Sequence, residues 1–310
     1  MYNVFIDGSA GTTGLRIRER LSGRNDLTWI ELDEAKRKDS AARREALNDA
    51  DIVFLCLPDA ASVEAVSMID NPHVKVLDTS TAHRVNPDWV YGMPELTPDQ
   101  AEKIAASNRI AVPGCHASGL IALVRPMIDA GIIARQQHIV CHSLTGYSGG
   151  GKKMIAEYQQ AQGNALLAAP RHYALGQQHK HLKEMKQMAG LATEPIFCPT
   201  VDDFYSGMLV TIGLFGDELL GGATIETVRS VYKERYVGPV VSYQEAMDED
   251  GFLSAAGLSG KDSMQITVCG NAERMLPAAR YDNLGKGASG AAIQCMNILM
   301  GIDQTTGLDL

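Results

Sequence analysis

The sequence predicts an α/β protein: a Rossmann-type, doubly wound parallel sheet followed by an α+β domain. Three observations predict it. Short apolar runs alternate with helical stretches through the first third of the chain. The first of these runs ends in a glycine-rich turn, Gly8-Ser9-Ala10-Gly11-Thr12-Thr13-Gly14, that opens a helix. Beyond Cys115 the alternation gives way to strand-rich sequence with long polar connections. Strands alternating with helices imply βαβ units and a parallel sheet, and the right-handed crossover rule then fixes most of the local topology.

Taken in order, Tyr2 to Ile6 reads as a short buried strand, and Leu15 to Leu21 has helical spacing, with Leu15, Ile17 and Leu21 apolar among charged residues. Leu27 to Leu32 is a second strand and Lys36 to Leu47 a charged helix. Asp51 to Leu57 is a nearly continuous apolar run ending at Pro58, as expected of a parallel strand covered on both faces. Ala60 to Met68 is helical, Val74 to Leu77 a fourth strand and Arg109 to Val112 a fifth. In the second part, His138 to Leu144, Ile196 to Thr200, Gly207 to Leu214, Val240 to Tyr243 and Gln265 to Gly270 are strand candidates, and Ile225 to Tyr236 is the clear helix. Gly287 to Met300 is a helix of small apolar residues, expected to return to the first domain. The boundaries expected are 1–114 for the first domain, rejoined by 286–310, and 115–285 for the second.

Bulk properties narrow the function. The chain has 310 residues, 45% of them hydrophobic and 21% charged, enough for a sizeable core and for two domains. Its 28 basic and 37 acidic residues leave a formal charge of −9, which argues against nucleic acid and anionic membrane as partners. A small anionic substrate is still compatible, because local cations and helix N-termini can hold one. Cys56, Cys115, Cys141, Cys198, Cys269 and Cys295 form no C-x-x-C pair and no zinc-like spacing, so free thiols in a reducing compartment are expected. The opening strand leaves no room for a signal peptide, and no apolar run is long enough for a bilayer span.

The turn from Gly8 to Gly14 has G-x-x-G-x-x-G spacing between a strand and a helix, the context a dinucleotide site requires. Glycine lets the backbone turn sharply and come close to a pyrophosphate, and the helix N-terminus offers it N–H groups. A plain tight turn is the bland alternative. The local sequence is divided on the cofactor. Glu31, at the end of the second strand, suits a ribose 2′-hydroxyl, while Lys36, Arg37 and Lys38 suit a 2′-phosphate or simply form a solvated face.

Val112-Pro113-Gly114-Cys115-His116-Ala117-Ser118-Gly119 is the most informative stretch. A strand ends, Pro113-Gly114 turns, and a helix begins, which places Cys115 at a helix N-terminus, where a thiol is biased toward thiolate. Buried structural cysteine is the common alternative, and the other five cysteines are read that way. A thiolate nucleophile needs an acid or base, for which His116, His142, His172, His179 and His181 are candidates. His116 adjoins Cys115, but sequence neighbours usually point apart. His179-Lys180-His181 with Arg171 and His172 looks like an anion-facing surface, or else a solvated loop. Gly146-Tyr147-Ser148-Gly149-Gly150-Gly151-Lys152-Lys153 is a second glycine-rich turn that suits an oxyanion or phosphate, or else a flexible hairpin. Lys153 breaks the P-loop pattern.

Six segments together resemble the N-acetyl-γ-glutamyl-phosphate reductases, in their shorter subfamily. They are Gly8 to Gly14, Leu77-Asp78-Thr79-Ser80-Thr81-Ala82-His83-Arg84, Tyr91-Gly92-Met93-Pro94-Glu95-Leu96, Pro113-Gly114-Cys115, Gly146 to Lys152, and Asp282-Asn283-Leu284-Gly285-Lys286-Gly287-Ala288. The resemblance covers nearly the whole chain. It implies the two-domain plan of aspartate-semialdehyde dehydrogenase, with a dinucleotide-binding domain and a catalytic and oligomerisation domain. It also implies NADP(H)-dependent reduction of an acyl phosphate through a cysteine thioester, in arginine biosynthesis, by a cytoplasmic homodimer or homotetramer. It places the nucleophile on Cys115 and the acid/base on His181, ahead of His179. The dinucleotide falls on Gly8, Ser9, Ala10, Gly11, Thr12, Thr13 and Gly14, with Asn283 near the nicotinamide. Arg84, Gly149, Lys152 and Lys180 are the expected substrate contacts. Two departures stand out: His116 follows the cysteine where the longer subfamily commonly has an aromatic residue, and Lys180 stands where arginine is common. The alternatives are aspartate-semialdehyde dehydrogenase, disfavoured by Tyr91 to Leu96 and by the short interval from Cys115 to His181, and a non-catalytic NADP-binding sensor, disfavoured by the retention of both those residues.

Overall fold

The computed structural model describes residues 1–160 and 163–310. Its elements run β1 (Tyr2–Asp7), α1 (Thr12–Leu21), β2 (Leu27–Ile30), α2 (Ser40–Asp49), β3 (Ile52–Leu55), α3 (Asp59–Ser67), β4 (Lys75–Asp78), β5 (Val90–Tyr91), α4 (Gln100–Ala105) and β6 (Arg109–Ala111). There follow α5 (Cys115–Asp129), β7 (Val140–Gly146), α6 (Gly151–Gln160), β8 (Arg171–His172), α7 (His181–Ala189), β9 (Ile196–Asp202), β10 (Met208–Ile212) and β11 (Leu214–Phe215). The chain closes with α8 (Ile225–Arg235), β12 (Val241–Tyr243), β13 (Met264–Gly270), β14 (Arg274–Tyr281) and α9 (Gly290–Leu299). Two compact units emerge. The first comprises Met1–Pro94, Asp99–Pro113 and Ala288–Leu308, the second Glu95–Pro98, Gly114–Gly287 and Asp309–Leu310.

The first unit holds a six-stranded parallel sheet in the order β2-β1-β3-β4-β6-β5. The period of two along each strand sorts the apolar side chains onto two faces. Val4, Ile6, Ile52, Phe54, Leu77 and Ile110 join Ile17 and Leu21 of α1, Ile104 of α4, and Ala292, Ile293 and Met296 of α9 in one cluster. Phe5, Val53, Leu55 and Val76 join Ala46 and Leu47 of α2 and Ala65 of α3 in the other. Each buried strand is therefore apolar on both sides, and that accounts for the continuous run at β3.

Several expected boundaries shift for local reasons. The helix expected over Lys36 to Leu47 is a 3-10 turn at Glu34–Lys36 followed by α2, because Asp39 caps α2 by accepting the Ala42 N–H at 2.7 Å. The sequence gives no bounds for β5, α4, α6, β8, α7 or β14. The second glycine-rich segment is neither a loop nor a hairpin: a 3-10 turn, Tyr147–Gly150, runs directly into α6.

The second unit is built on an eight-stranded mixed sheet, ordered β12-β13-β14-β10-β7-β9-β8 with β11 also paired to β14. The β12–β13 and β7–β9 pairs are parallel and the others antiparallel. Helix α5 lies on β10 and β14, flanked by α7 and α8. It is buried almost all round, as a helix without a polar face must be. Pro126 within α5 has no N–H to give the Ala122 carbonyl. The Tyr236 hydroxyl donates to that carbonyl instead, at 2.6 Å, and Tyr232 donates to the next one, Leu123, at 2.5 Å.

The placement of α9 in the first unit's core is testable. Both tryptophans, Trp29 and Trp89, lie in that unit, so intrinsic fluorescence follows its unfolding. Ile293→Ala, at a fully buried position, is expected to lower its unfolding free energy in urea by about 2–4 kcal/mol. A change under about 1 kcal/mol would mean that α9 is not part of that core.

Candidate active site

In the first unit the chain leaves β1 at Asp7 and turns at Gly8, whose φ of +89° is a left-handed conformation. A Cβ on Gly8 would come within 2.3 Å of the Cys56 carbonyl oxygen, and one on Gly14 within 2.7 Å of the Gly8 carbonyl oxygen. Both positions therefore require glycine. Gly11 is the N-cap of α1, and no side chain caps the helix there. The first-turn N–H groups are thus left for an anion, and this strand–turn–helix cradle fits a dinucleotide pyrophosphate. Beyond β2, the exposed Glu31 pairs with Arg18, whose guanidinium lies 4.3 Å from the centre of the Trp29 ring. Lys36, Arg37 and Lys38 are exposed.

In the second unit Cys115 is the first residue of α5, with Gly114 as N-cap and no side-chain cap. The positive end of the helix dipole falls at the thiol, which is half-buried and makes no disulfide. The Gly114 N–H donates to Oε1 of Glu184 at 2.7 Å, and that carboxylate is only 2% exposed. Glu184 lies one turn beyond His181 on α7, and both are buried. The backbone just before Cys115 is therefore pinned by a buried charged acceptor, the stronger kind of hydrogen bond.

His116, expected to point away from the cysteine's surroundings, is instead the centre of a buried cluster. Its Nδ1 lies 2.6 Å from Ser143 Oγ and its Nε2 2.6 Å from the Tyr173 hydroxyl. Burial, with added repulsion from His179, pushes its pKa down to about 3, so the ring is neutral and uses one nitrogen as donor and the other as acceptor. Its ring centre is 5.9 Å from that of His179 and 5.7 Å from that of His181, and these two are 4.7 Å apart. Nδ1 of His179 accepts the His181 N–H at 3.2 Å. The Tyr173 hydroxyl has its pKa raised by burial and then by the Cys115 sulfur. Three imidazoles, a phenol and a thiol are thus gathered at the start of α5. Among the described residues no group of histidine, cysteine or acidic side chains is arranged to hold a metal.

The remaining predicted residues fall as follows. Asn283 is buried, accepting the Gly207 N–H at 2.9 Å and donating to Ser148 Oγ at 2.9 Å, so its amide braces the 3-10 turn at Tyr147–Gly150. Gly149 lies in that turn beside Asn283, and Lys152 is exposed in the first turn of α6. Lys180 is exposed at the N-cap of α7. Arg84, in the first unit, donates to the Val112 and Thr79 carbonyls at 2.9 and 2.8 Å. Cys56 fits its structural reading, since burial pushes the thiol up to about 12. The sequence reading missed Glu184, Tyr173, Ser143 and Tyr281. Only Glu184 carried a signal, the i, i+3 spacing from His181 on a helix.

The model named "Semialdehyde dehydrogenase, NAD binding domain" matches residues 9–104, and "Semialdehyde dehydrogenase, dimerisation domain" matches 115–283. The N-acetyl-gamma-glutamyl-phosphate reductase of Sinorhizobium medicae is 43% identical over 304 residues, covering 96% of this chain and 98% of the relative. That of Brucella suis is 44% identical over 305 residues, with the same coverage of each. Among solved structures, aspartate semialdehyde dehydrogenase II of Vibrio cholerae, complexed with ASA, matches with TM-score 0.72 at 17% identity over 97% of this chain and 98% of that one. The Francisella tularensis enzyme matches with TM-score 0.74 at 13% identity over 97% of this chain and all of that one. At such identities the structures establish the shared fold.

Neutral His116 has a stability consequence. Below its ordinary value of 6.5 the unfolded chain takes up a proton that folded His116 refuses until about pH 3. Its contribution is therefore complete above pH 6.5 and is lost as pH falls, by about 1.4 kcal/mol per unit. Unfolding free energies measured from pH 7 to pH 5 are expected to fall more steeply for wild type than for His116→Gln, and parallel slopes would contradict the neutral buried ring.

Proposed function

The chain belongs to the semialdehyde dehydrogenases, and within them to the N-acetyl-γ-glutamyl-phosphate reductases. From that membership we propose that it reduces N-acetyl-γ-glutamyl phosphate to N-acetylglutamate 5-semialdehyde with release of phosphate, using NADP(H), in arginine biosynthesis. The observation that carries the reading is Cys115 at the N-terminus of α5 with His116, His179, His181 and Tyr173 gathered beside it. The first unit is the dinucleotide-binding domain and the second the catalytic and oligomerisation domain of a cytoplasmic homodimer or homotetramer. Among the described residues no helix is long and apolar enough to cross a membrane.

Cys115 attacks the acyl-phosphate carbonyl as thiolate. A C–S bond forms, the C–O bond to phosphate breaks, and inorganic phosphate leaves with a thioester behind. Backbone N–H groups at the start of α5 hold the developing oxyanion, and the helix dipole favours both thiolate and oxyanion. Gly8 to Gly14 would hold NADP(H), which would supply the hydride that reduces the thioester to a thiohemiacetal. His181 exchanges the proton at the substrate oxygen as that adduct forms and breaks, with His179 as the alternate. Breakdown returns Cys115 as thiolate and frees the aldehyde. Glu184 keeps Gly114, and with it the start of α5, in place. Arg84, Gly149, Lys152 and Lys180 are the proposed contacts for the substrate's anionic groups, and Asn283 is proposed to lie beside the nicotinamide.

The reverse reaction tests this directly: phosphate-dependent reduction of NADP⁺ by N-acetylglutamate semialdehyde. Wild type is expected to turn over only with phosphate present, and Cys115→Ser to lose about a thousandfold or more in kcat. Turnover without phosphate would refute the acyl-phosphate route, and equal turnover by both proteins would refute Cys115 as nucleophile.

A further inference from the structure

We propose that Tyr281 is the positioning residue of the Cys115 nucleophile: its hydroxyl is built into the first turn of α5 and sets where the thiol stands. Tyr281 is the last residue of β14 and has no exposed surface. Its hydroxyl donates to the Cys115 carbonyl oxygen at 2.6 Å and accepts the Gly119 N–H at 3.1 Å. Those are the two groups that an unmodified α-helix would join directly, N–H of one residue to the carbonyl four residues earlier. The phenol oxygen thus bridges a helical hydrogen bond, with the polarity running from N–H through O–H to C=O. Its proton and one lone pair are committed to backbone, and the residue has no exposed surface to offer a substrate.

The surroundings are shaped to admit this bridge. A Cβ on Gly119 would come within 2.7 Å of the Tyr281 hydroxyl and 2.6 Å of a Val210 methyl, so any side chain at 119 would evict the phenol. The opposite wall is equally close: a Cβ on Gly287 would lie 3.0 Å from the Cys115 Cβ. Cys115 is therefore confined between Gly287 on one side and a backbone fixed by Glu184 and Tyr281 on the other. An oxygen set between the Cys115 carbonyl and the Gly119 amide fixes the pitch of the turn that carries the thiol. Without it those groups close on each other or stay unpaired, and the Cβ of Cys115 moves. Misplacement of a reacting atom by about 1 Å can cost a hundredfold in rate while leaving binding untouched.

The inference rests on Cys115 being the nucleophile, and the experiment keeps the two apart. Tyr281→Phe is compared with Tyr232→Phe, which removes a hydroxyl donated to the same helix at Leu123, about two turns beyond Cys115. Steady-state kinetics and the pH profile of Cys115 alkylation by iodoacetamide, read on the isolated peptide, are measured for both. For Tyr281→Phe, kcat is expected to fall about tenfold to a hundredfold with KM unchanged. Its alkylation midpoint is expected to move upward by about half a pH unit, as the sulfur leaves the best position at the helix N-terminus. Tyr232→Phe should lose thermal stability and keep both properties. A Tyr281→Phe protein that is less stable but has wild-type kcat and alkylation profile overturns the inference, while an active Cys115→Ser overturns the nucleophile itself. Should Tyr281→Phe not fold, replacing Tyr281 by 4-aminophenylalanine keeps a weaker donor in place. A loss of about two- to fivefold in kcat with the same upward midpoint shift is then expected, and no change in either overturns the proposal.

Discussion

The placement of the second unit's thiol depends on how the first turn of α5 is held, and the stability of that helix on how the rest of it is held. A helix buried on nearly all sides has no water to repair its irregularities, so each departure from ideal hydrogen bonding must be met by a side chain. Three tyrosine hydroxyls and one carboxylate meet them. Tyr236 and Tyr232 serve the carbonyls around the Pro126 interruption, Tyr281 bridges the first turn, and Glu184 takes the Gly114 N–H ahead of it. The backbone groups they satisfy would each cost about 1–3 kcal/mol if left buried and unpaired. The helix is therefore rigid at the end where the proposed chemistry occurs, and its support comes from α7, α8 and β14 rather than from its own sequence.

The strand that supplies Tyr281 runs on into a segment equally committed to holding the site. Asp282, 1% exposed, accepts from Ser206 Oγ at 2.7 Å, from the Leu284 N–H at 2.6 Å and from the Gly260 and Gly285 N–H groups. Asn283 ties Gly207 to Ser148, and the buried ammonium of Lys286 pairs with Glu95 at 2.8 Å. A carboxylate with several N–H and O–H donors is a stable way to bury charge, and it fixes the path of every loop it touches. The Asp-Asn-Leu-Gly-Lys-Gly stretch thus acts as a fastening between β14, the 204–207 segment and the second glycine-rich turn.

Where the sequence was legible, the reason is a repeating pattern. The strands of the first sheet announce themselves by continuous apolar runs between helices, and Cys115 by the strand–turn–helix context of Pro113-Gly114. Where it was illegible, the pattern is broken for cause. Strand β14 was missed because Arg274-Met-Leu-Pro-Ala-Ala-Arg-Tyr281 contains a proline and two alanines, poor strand formers. The structure admits Pro277 because it falls where the neighbouring strand changes from β10, last paired at Ala278, to β11, paired at Met275. Helix α4, with six residues, is too short to display a period. His116 could not be read at all: a residue next to a nucleophile usually points elsewhere, and only β7 and Tyr173, distant in sequence, turn it into the hub of the cluster.

The first unit's core has a consequence in time. One face of its parallel sheet is covered in part by α9, whose residues are made only after the main body of the second unit, Gly114–Gly287. At synthesis rates of about 5–20 residues per second, Val4, Ile6, Phe54 and Ile110 wait on the order of ten seconds or more for Ile293 and Met296. The second unit, whose main body runs unbroken from Gly114 to Gly287, can condense in that interval. The half of the molecule that comes first in the sequence is thus the last to finish its core, and its uncovered sheet face is the surface a nascent chain must keep from aggregating.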